Sequence, residues 1–394
     1  MGSVAELART LATRAPELAD RLVDRINASD QVYRERQLVP PDDLWRSCHD
    51  NMVEILRAIT QAPNAEAYDL DAPQATGQQR AKQGFPLEHL LHAYRLAGPV
   101  IWEGLREEAV AHKPPLNDEL MEGAVVVWEI IDFYSDEVGR AYRQTERDIV
   151  RRDETQRQTM LRSLLFGVVS PADLPHANEI LRLPQDSPYM IAVADPQGDT
   201  STSGRALGAA LHVRGIPSEW LAINDRLVGL IATRRADAAT IGGHLMASGT
   251  LRIGMSPLVG DLGMVPVAYR QADLALRCIP PNRLDAVSLD DRLMPALLVA
   301  SPELARRLAR NVLGGVLDLA PLERDLLLQT LRTYIDVHGS VAAAAKSLFC
   351  HRNTVFRRIA VIQDLTGLSP ADPGDIARIV LALEAQELLL TETE

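Results

Sequence analysis

The stretch from Gly339 to Gly367, GSVAAAAKSLFCHRNTVFRRIAVIQDLTG, leaves little choice of local fold. Gly339 ends the helix before it, and Ser340 is suited to cap the next. Val341 to Leu348 is short and rich in alanine. Side chains that small let a second helix cross closely and steeply, as a helix-turn-helix requires. Phe349 and Cys350 make a brief turn, and His351 or Arg352 opens the second helix. There Val355, Ile359 and Ile362 recur at i, i+4 and i+7, an apolar face to dock on the first helix. The first turn and the opposite face present Arg352, Asn353, Thr354, Arg357 and Arg358.

Charge singles out the same stretch. The chain carries a formal net charge of -12, which argues against a protein that coats nucleic acid without regard to sequence. Yet no Asp or Glu lies between His338 and Gln363, while Lys346, Arg352, Arg357 and Arg358 are basic. Recognition helices reach base edges in the major groove with their N-terminal residues. Arg bonds guanine at two points, Asn bonds adenine, and the Thr methyl meets that of thymine. The expected DNA-binding set is therefore Lys346, His351, Arg352, Asn353, Thr354, Arg357 and Arg358. One recognition helix covers few base pairs, so a homodimer or higher homo-oligomer on double-stranded operator DNA is expected. Arginines alone would fit an ordinary helix pair with a solvated face. The cap, the alanine-rich helix, the short turn and the Arg-Asn-Thr opening fall in register and favour the interface.

Elsewhere the chain alternates in kind. Apolar residues make up 46% and aromatics 4%, so its cores are built from Leu, Val, Ile and Ala, a mixture that leans helical. Residues 1–150 read as helices throughout, with Leu7, Leu11, Leu18, Leu22 and Ile26 at helical spacing, then Leu44, Val53, Leu56 and Ile59 after the Pro40-Pro41 break. A loop is expected from Pro63 to Thr76, and a further helix carries Leu87, Leu90, Leu91, Tyr94 and Leu96. After Pro114-Pro115 a long helix runs from Leu116 towards Tyr142. A charged connecting helix covers about 135–165, with an apolar seam too thin for a coiled coil. In 166–295 strands are expected at Tyr189–Ala194 and Leu251–Ser256, and a hairpin joins Trp220–Ile223 to Leu227–Ile231. Residues 296–394 return to helix, at about Pro302–Val312, Pro321–Val337 and from Asp372-Pro373 onward. The last of these should bury Ile376, Ile379, Val380 and Leu383.

Other chemistry is poorly represented. Cys48, Cys278 and Cys350 form no Cys-x-x-Cys pair, which speaks against a disulfide framework or zinc site. His89 and His92 share a helix face but have no third ligand nearby. Cys48 and His49 are adjacent in a helix and point apart. No phosphate-binding loop, dinucleotide fingerprint or His-Glu-x-x-His is present. Trp102 and Trp128 are expected to fill the N-terminal core. No catalytic residue, metal or cofactor is assigned. The N-terminus lacks the pattern of a signal peptide and no apolar run is long enough for a membrane span, so a cytoplasmic location is expected.

The residues TLRTYIDVHGS, AAAAKSLFCHRNTVFRRIAVIQDLTG and DPGDIARIVLAL, within about Leu326–Leu383, resemble the C-terminal DNA-binding domain of the PucR/CdaR family of bacterial regulators. The resemblance places that family's recognition helix on Arg352, Asn353, Thr354 and Arg357. The turn departs from the general motif, which often has Gly where Phe349 stands. RIGMSPLVGDLGMVPVAYRQADLAL, Arg252–Leu276, is similar to the GGDEF-like domain of the same family. A diguanylate cyclase needs a Gly-Gly-Asp-Glu-Phe hairpin. Here the corresponding hairpin, Ile223 to Leu227, lacks the glycines and the acidic pair, so a regulatory or dimerising domain is implied and no enzyme activity is expected. QQRAKQGFPLEHLLHAYRLAGPVIWEGL, Gln78–Leu105, resembles the globin-like RsbR-type sensor domain, which typically lacks haem.

The resulting expectation is a multidomain chain. An all-α globin-like domain at 1–150 precedes an α/β degenerate GGDEF-like domain at 166–295 and an all-α helix-turn-helix domain at 296–394. Its function would be signal-responsive transcription regulation, with a small-molecule effector among its partners. The alternative is a signalling scaffold that works through its sensor domain without touching DNA; the uninterrupted basic face argues against it.

Overall fold

The structure, a computed structural model, describes residues 2–35, 37–61, 68–111, 120–121, 123–196, 200–248, 251–280 and 283–389. The chain divides into two compact units, Met1–Thr155 and Gln156–Glu394.

The first unit is helical: α1 (Gly2–Ala12), α2 (Ala15–Ser29), α3 (Gln31–Arg34), α4 (Pro41–Gln61), α5 (Asp71–Lys82), α6 (Leu87–Ala111) and the start of α7 (Ala124–Leu165). Leu7, Leu11, Leu18, Leu22 and Ile26 are all buried, as their spacing predicts. The loop expected from Pro63 to Thr76 does not extend to Thr76. Residues 62–67 lie outside the described residues, and from Asp71 the chain is helix. The first turn of a helix tolerates Pro73, whose missing N–H is not needed there. Apolar periodicity is absent because α5 packs through small residues: a Cβ on Gly77 would stand 2.5 Å from the carbonyl of Val138 on α7. The Pro114-Pro115 break also lies outside the described residues. The expected long helix and charged connecting helix are one element, α7. No residue from 143 to 160 is buried, which is why that stretch reads as charged on all sides. Trp102 packs half-buried against the core, but Trp128 does not fill it. It is 44% exposed and lies across Gly98, while Val127, Ile130, Ile131 and Tyr134 occupy the interior.

Several buried polar groups of this unit pair with one another. Arg80, 1% exposed, pairs with Asp43 at 2.7 Å. The Asn51 amide donates to Thr76 Oγ1 at 2.8 Å and accepts from Tyr94 Oη at 2.6 Å. His89 Nδ1 lies 2.7 Å from Asp30 Oδ2. Cys48 is buried, and burial pushes its thiol pKa up to about 12.

The second unit holds a five-stranded sheet in the order β2-β3-β1-β4-β5. The strands are β1 (Tyr189–Pro196), β2 (Ser218–Ile223), β3 (Arg226–Ala232), β4 (Leu251–Met255) and β5 (Ala286–Ser288), antiparallel except for the β4–β5 pair. The hairpin is tighter than its sequence suggests, with only Asn224 and Asp225 between strands. Both have positive φ, 45° and 61°, the twist a two-residue turn needs. One face, through Tyr189, Ile191 and Val193, packs on the end of α7, α8 (Leu174–Leu181), α11 (Val265–Arg277) and α12 (Leu293–Ala300). The other, through Met190, Ala192 and Ala194, packs on α9 (Thr200–His212) and α10 (Ala238–Met246). Gly254 on β4 lets α11 approach so closely that a Cβ would meet the Leu276 nitrogen at 2.1 Å.

Five helices complete the unit: α13 (Pro302–Leu317), α14 (Pro321–Asp336), α15 (Val341–Ser347), α16 (Arg352–Thr366) and α17 (Pro373–Leu389). Ala305 and Ala309 of α13 belong to the sheet-side core, and Val312, Leu313 and Val316 to the core of the C-terminal helices. Helix α17 runs the opposite way, with Ile379, Ala382 and Leu383 in the C-terminal core and Ala385, Leu388 and Leu389 against the sheet side. Serving two cores shifts its buried stripe. Ile379 and Leu383 are buried as expected, Ile376 is half-buried, and Val380 is 37% exposed.

One carboxylate makes the first unit sensitive to pH. Glu54 on α4 accepts the backbone N–H of Ala72 at 3.1 Å. Burial pushes its pKa up to about 7, and the nearby Asp69 and Asp71 push the same way. Between 4.5, its ordinary value, and about 7 the unfolded chain has released this proton while the folded one keeps it. Raising the pH through that window therefore removes stability. Glu54→Gln should flatten the fall in urea midpoint over this range; an identical fall in the variant would remove Glu54 as its source.

Candidate nucleic-acid interface

Helices α14, α15 and α16 are set by four consecutive end motifs. Helix α14 stops because His338 turns left-handed at φ 54°, and the N–H of Gly339 returns to the carbonyl of Tyr334 at 2.8 Å. Gly339 is thus one position further out than its sequence suggests, and His338 bears the strain. Ser340 then caps α15 by accepting the N–H of Ala343 at 3.3 Å. Helix α15 ends in the same manner: Phe349 takes φ 51°, its N–H reaches Lys346 O at 3.3 Å, and the N–H of Cys350 reaches Ala345 O at 3.0 Å. This left-handed position usually holds Gly, which has no Cβ to clash there. His351 caps α16 through Nδ1, which accepts the N–H of Asn353 at 3.2 Å. The second helix therefore starts at Arg352.

Packing fixes the direction of α16. Val355, Ile359 and Ile362 are buried with Ala344 and Ala345 of α15, as the spacing predicts. Gly315 on α13 leaves room for the far end of α16, since a Cβ there would lie 2.4 Å from the carbonyl of Leu365. With this side inward, Lys346, His351, Arg352, Asn353 and Arg357 are exposed and Thr354 is half-buried. Among the described residues, Lys346, Arg352 and Arg357 make no ion pair.

Arg358 is placed differently from the others. Its guanidinium donates to Thr330 Oγ1 at 3.2 Å, and that fully buried hydroxyl donates to Leu326 O at 2.7 Å. It ties α16 to α14. Two residues outside the expected set stand out instead: Phe349 is 97% exposed and Phe356, on the second turn of α16, is 68% exposed. The chain has only five phenylalanines, and two of them in one short basic motif was the available signal.

The described residues hold no group of three or more His, Cys, Asp or Glu placed to bind a metal, and no helix among them is long and apolar enough to cross a membrane. A cavity of about 40 Å³ in the first unit, bordered by Leu22, Ile26, Met52, Tyr94 and Arg80, has room for a few waters.

Comparison with known proteins gives three matches in order along the chain. Residues 16–157 match the RsbT co-antagonist protein rsbRD N-terminal domain, residues 167–278 a GGDEF-like domain, and residues 327–385 the PucR C-terminal helix-turn-helix domain. The chain is thus a three-domain protein ending in a helix-turn-helix. The C-terminal match is to a PucR-type domain, and the order of the three is the one expected from the resemblance to the PucR/CdaR family. The purine catabolism regulatory protein of Bacillus subtilis is 32% identical over 143 residues, 36% of this chain and 27% of that protein. An uncharacterized protein of Mycobacterium tuberculosis is 36% identical over 86 residues, 19% of this chain and 21% of its own. The matches thus span about a quarter of those relatives. The crystal structure of a regulator of polyketide synthase expression from Bifidobacterium adolescentis covers 61% of this chain and 100% of its own, at 20% identity. Its TM-score of 0.31 is too low to bear on the fold.

The left-handed Phe349 yields a direct test. Relief of this strain exceeds the extra freedom that glycine gives the unfolded chain. Phe349→Gly should therefore stabilise the protein by about 1 kcal/mol in urea denaturation. A loss of stability would show that the ring, exposed as it is, supports the turn.

Proposed function

We propose that the chain is a signal-responsive transcription regulator that binds operator DNA as a homo-oligomer, through α15 and α16, in the cytoplasm. The observation that carries this reading is the acid-free edge of exposed Lys346, His351, Arg352, Asn353 and Arg357, with Thr354 half-buried among them, around the start of a helix whose other face is buried. A helix entering the major groove by its N-terminus brings Arg352 and Asn353 to base edges, with Arg357 one turn behind. The positive end of the helix dipole adds to the attraction for phosphate. Arg358 serves this surface by holding α16 in place rather than by contact. The working domain limits are 1–150, 166–295 and 296–394. The middle domain acts as a regulatory or dimerising module and not as a cyclase, because its hairpin turn is Asn224-Asp225.

The N-terminal domain receives the signal, and a small-molecule effector would have to enlarge its present cavity. The signal passes through the helix at about 135–165 and resets the spacing of two recognition helices across the oligomer. An engineered crosslink between copies of that helix should freeze the response. A crosslinked protein with unaltered effector response and DNA affinity would overturn this route.

The DNA reading is tested by selecting bound duplexes from a random pool with the full chain. Arg352→Ala should then cost about 1–3 kcal/mol on the selected duplex and relax the preference at one position. Uniform weakening on every sequence would restrict Arg352 to phosphate. Equal binding by variant and parent would remove it from the interface, and failure to select any sequence would defeat the DNA reading.

A further inference from the structure

Phe349 and Phe356 are the most exposed aromatic rings among the described residues. Phe349 stands in the turn. Phe356 stands on the recognition helix itself, a turn beyond Arg352 and three residues beyond Asn353, spacings that make them neighbours on a helix surface. Arg357 adjoins it in sequence. The ring makes no contact with another aromatic among the described residues, and it contributes nothing to the core formed by Val355, Ile359 and Ile362. Nothing among the described residues accounts for a large apolar side chain in the middle of a basic face.

The surface opposite that face does account for it. Phosphate oxygens and most base edges offer donors and acceptors, to which Arg352, Asn353 and Arg357 are matched. The 5-methyl group of thymine is the one apolar group that a standard base pair presents in the major groove. We propose that Phe356 reads thymine, packing its ring on one or two 5-methyl groups beside the base pairs met by Arg352 and Asn353. This rests on the DNA reading above and adds to it a second, larger apolar reader beside the methyl of Thr354.

Because Phe356 lies outside the core, Phe356→Ala should fold and melt as the parent does. The full chain is used to select a duplex, and each thymine in the selected site is then replaced by uracil, which lacks only the methyl. At one or two positions the parent should lose about fourfold in affinity for each methyl removed, the worth of one buried methyl group. Phe356→Ala should lose affinity for the thymine duplex and no longer distinguish thymine from uracil there. Arg352→Ala should retain that discrimination. A parent indifferent to uracil at every position overturns the proposal, and that measurement needs no variant. So does a Phe356→Ala chain that discriminates as the parent does, or one whose only defect is loss of self-association, which would make the ring a protein contact. A chain that selects a sequence but ignores uracil leaves the DNA reading standing; a chain that selects no sequence loses both.

Discussion

The C-terminal half is organised by two helices that each belong to two hydrophobic cores. Helix α13 leaves the sheet-side core at Ala309 and enters the core of the helix-turn-helix at Val312. Helix α17 makes the return journey, from Leu383 to Ala385. Neither core closes without them. Arg332 strengthens the arrangement by reaching from α14 to Glu387 and to the carbonyl of Leu383, 3.1 Å away, on α17. A motif that might have hung from a flexible linker is instead part of one packed body from Gln156 to Glu394.

This has a consequence for control. The orientation of α16 is over-determined by the close approach at Gly315, the Arg358–Thr330 hydrogen bond and the three buried apolar residues. Close-packed cores do not deform continuously. Tilting α16 alone would open a void or create a clash, so rearrangement within one copy is costly. In the proposed homo-oligomer the economical variable is the placement of one copy against another, which would alter half-site spacing and leave each recognition surface unchanged.

Much of this was legible in the sequence, and the exceptions share a physical origin. The caps at Ser340 and Asp372, the buried face of α16 and the strands of the hairpin depend on local chemistry, so local pattern showed them. Misplaced features depend on what lies across a contact. Asp71–Thr76 is helical because small residues fit against α7, and small residues leave no apolar period to read. Trp128 is displaced outward by helix neighbours that are better placed to fill the core. Val380 loses its place because α17 changes partners midway. Arg358, expected among the groove-facing cations, also bonds Thr330 on α14, a partner that no local pattern shows. Phe349 was read only as a turn residue and Phe356 was not singled out, since exposure is a property of the assembled surface.

If the chain binds DNA as proposed, its electrostatic arrangement separates specific from indiscriminate binding. A chain of net charge -12 is repelled by a polyanion at long range. At physiological salt, charges beyond about 8 Å are largely screened, so at close range the duplex responds to the local surface and not to the total. The motif is acid-free from His338 to Gln363, and attraction operates once the groove is reached. With few exposed cations per copy, phosphate contacts alone supply limited affinity. The remainder must come from base edges, where one misplaced group forfeits a hydrogen bond or an apolar contact. On the proposed DNA reading, an acidic body with a small basic edge trades speed and strength of nonspecific binding for discrimination, and the energy for that discrimination would be concentrated in the few residues at the start of α16.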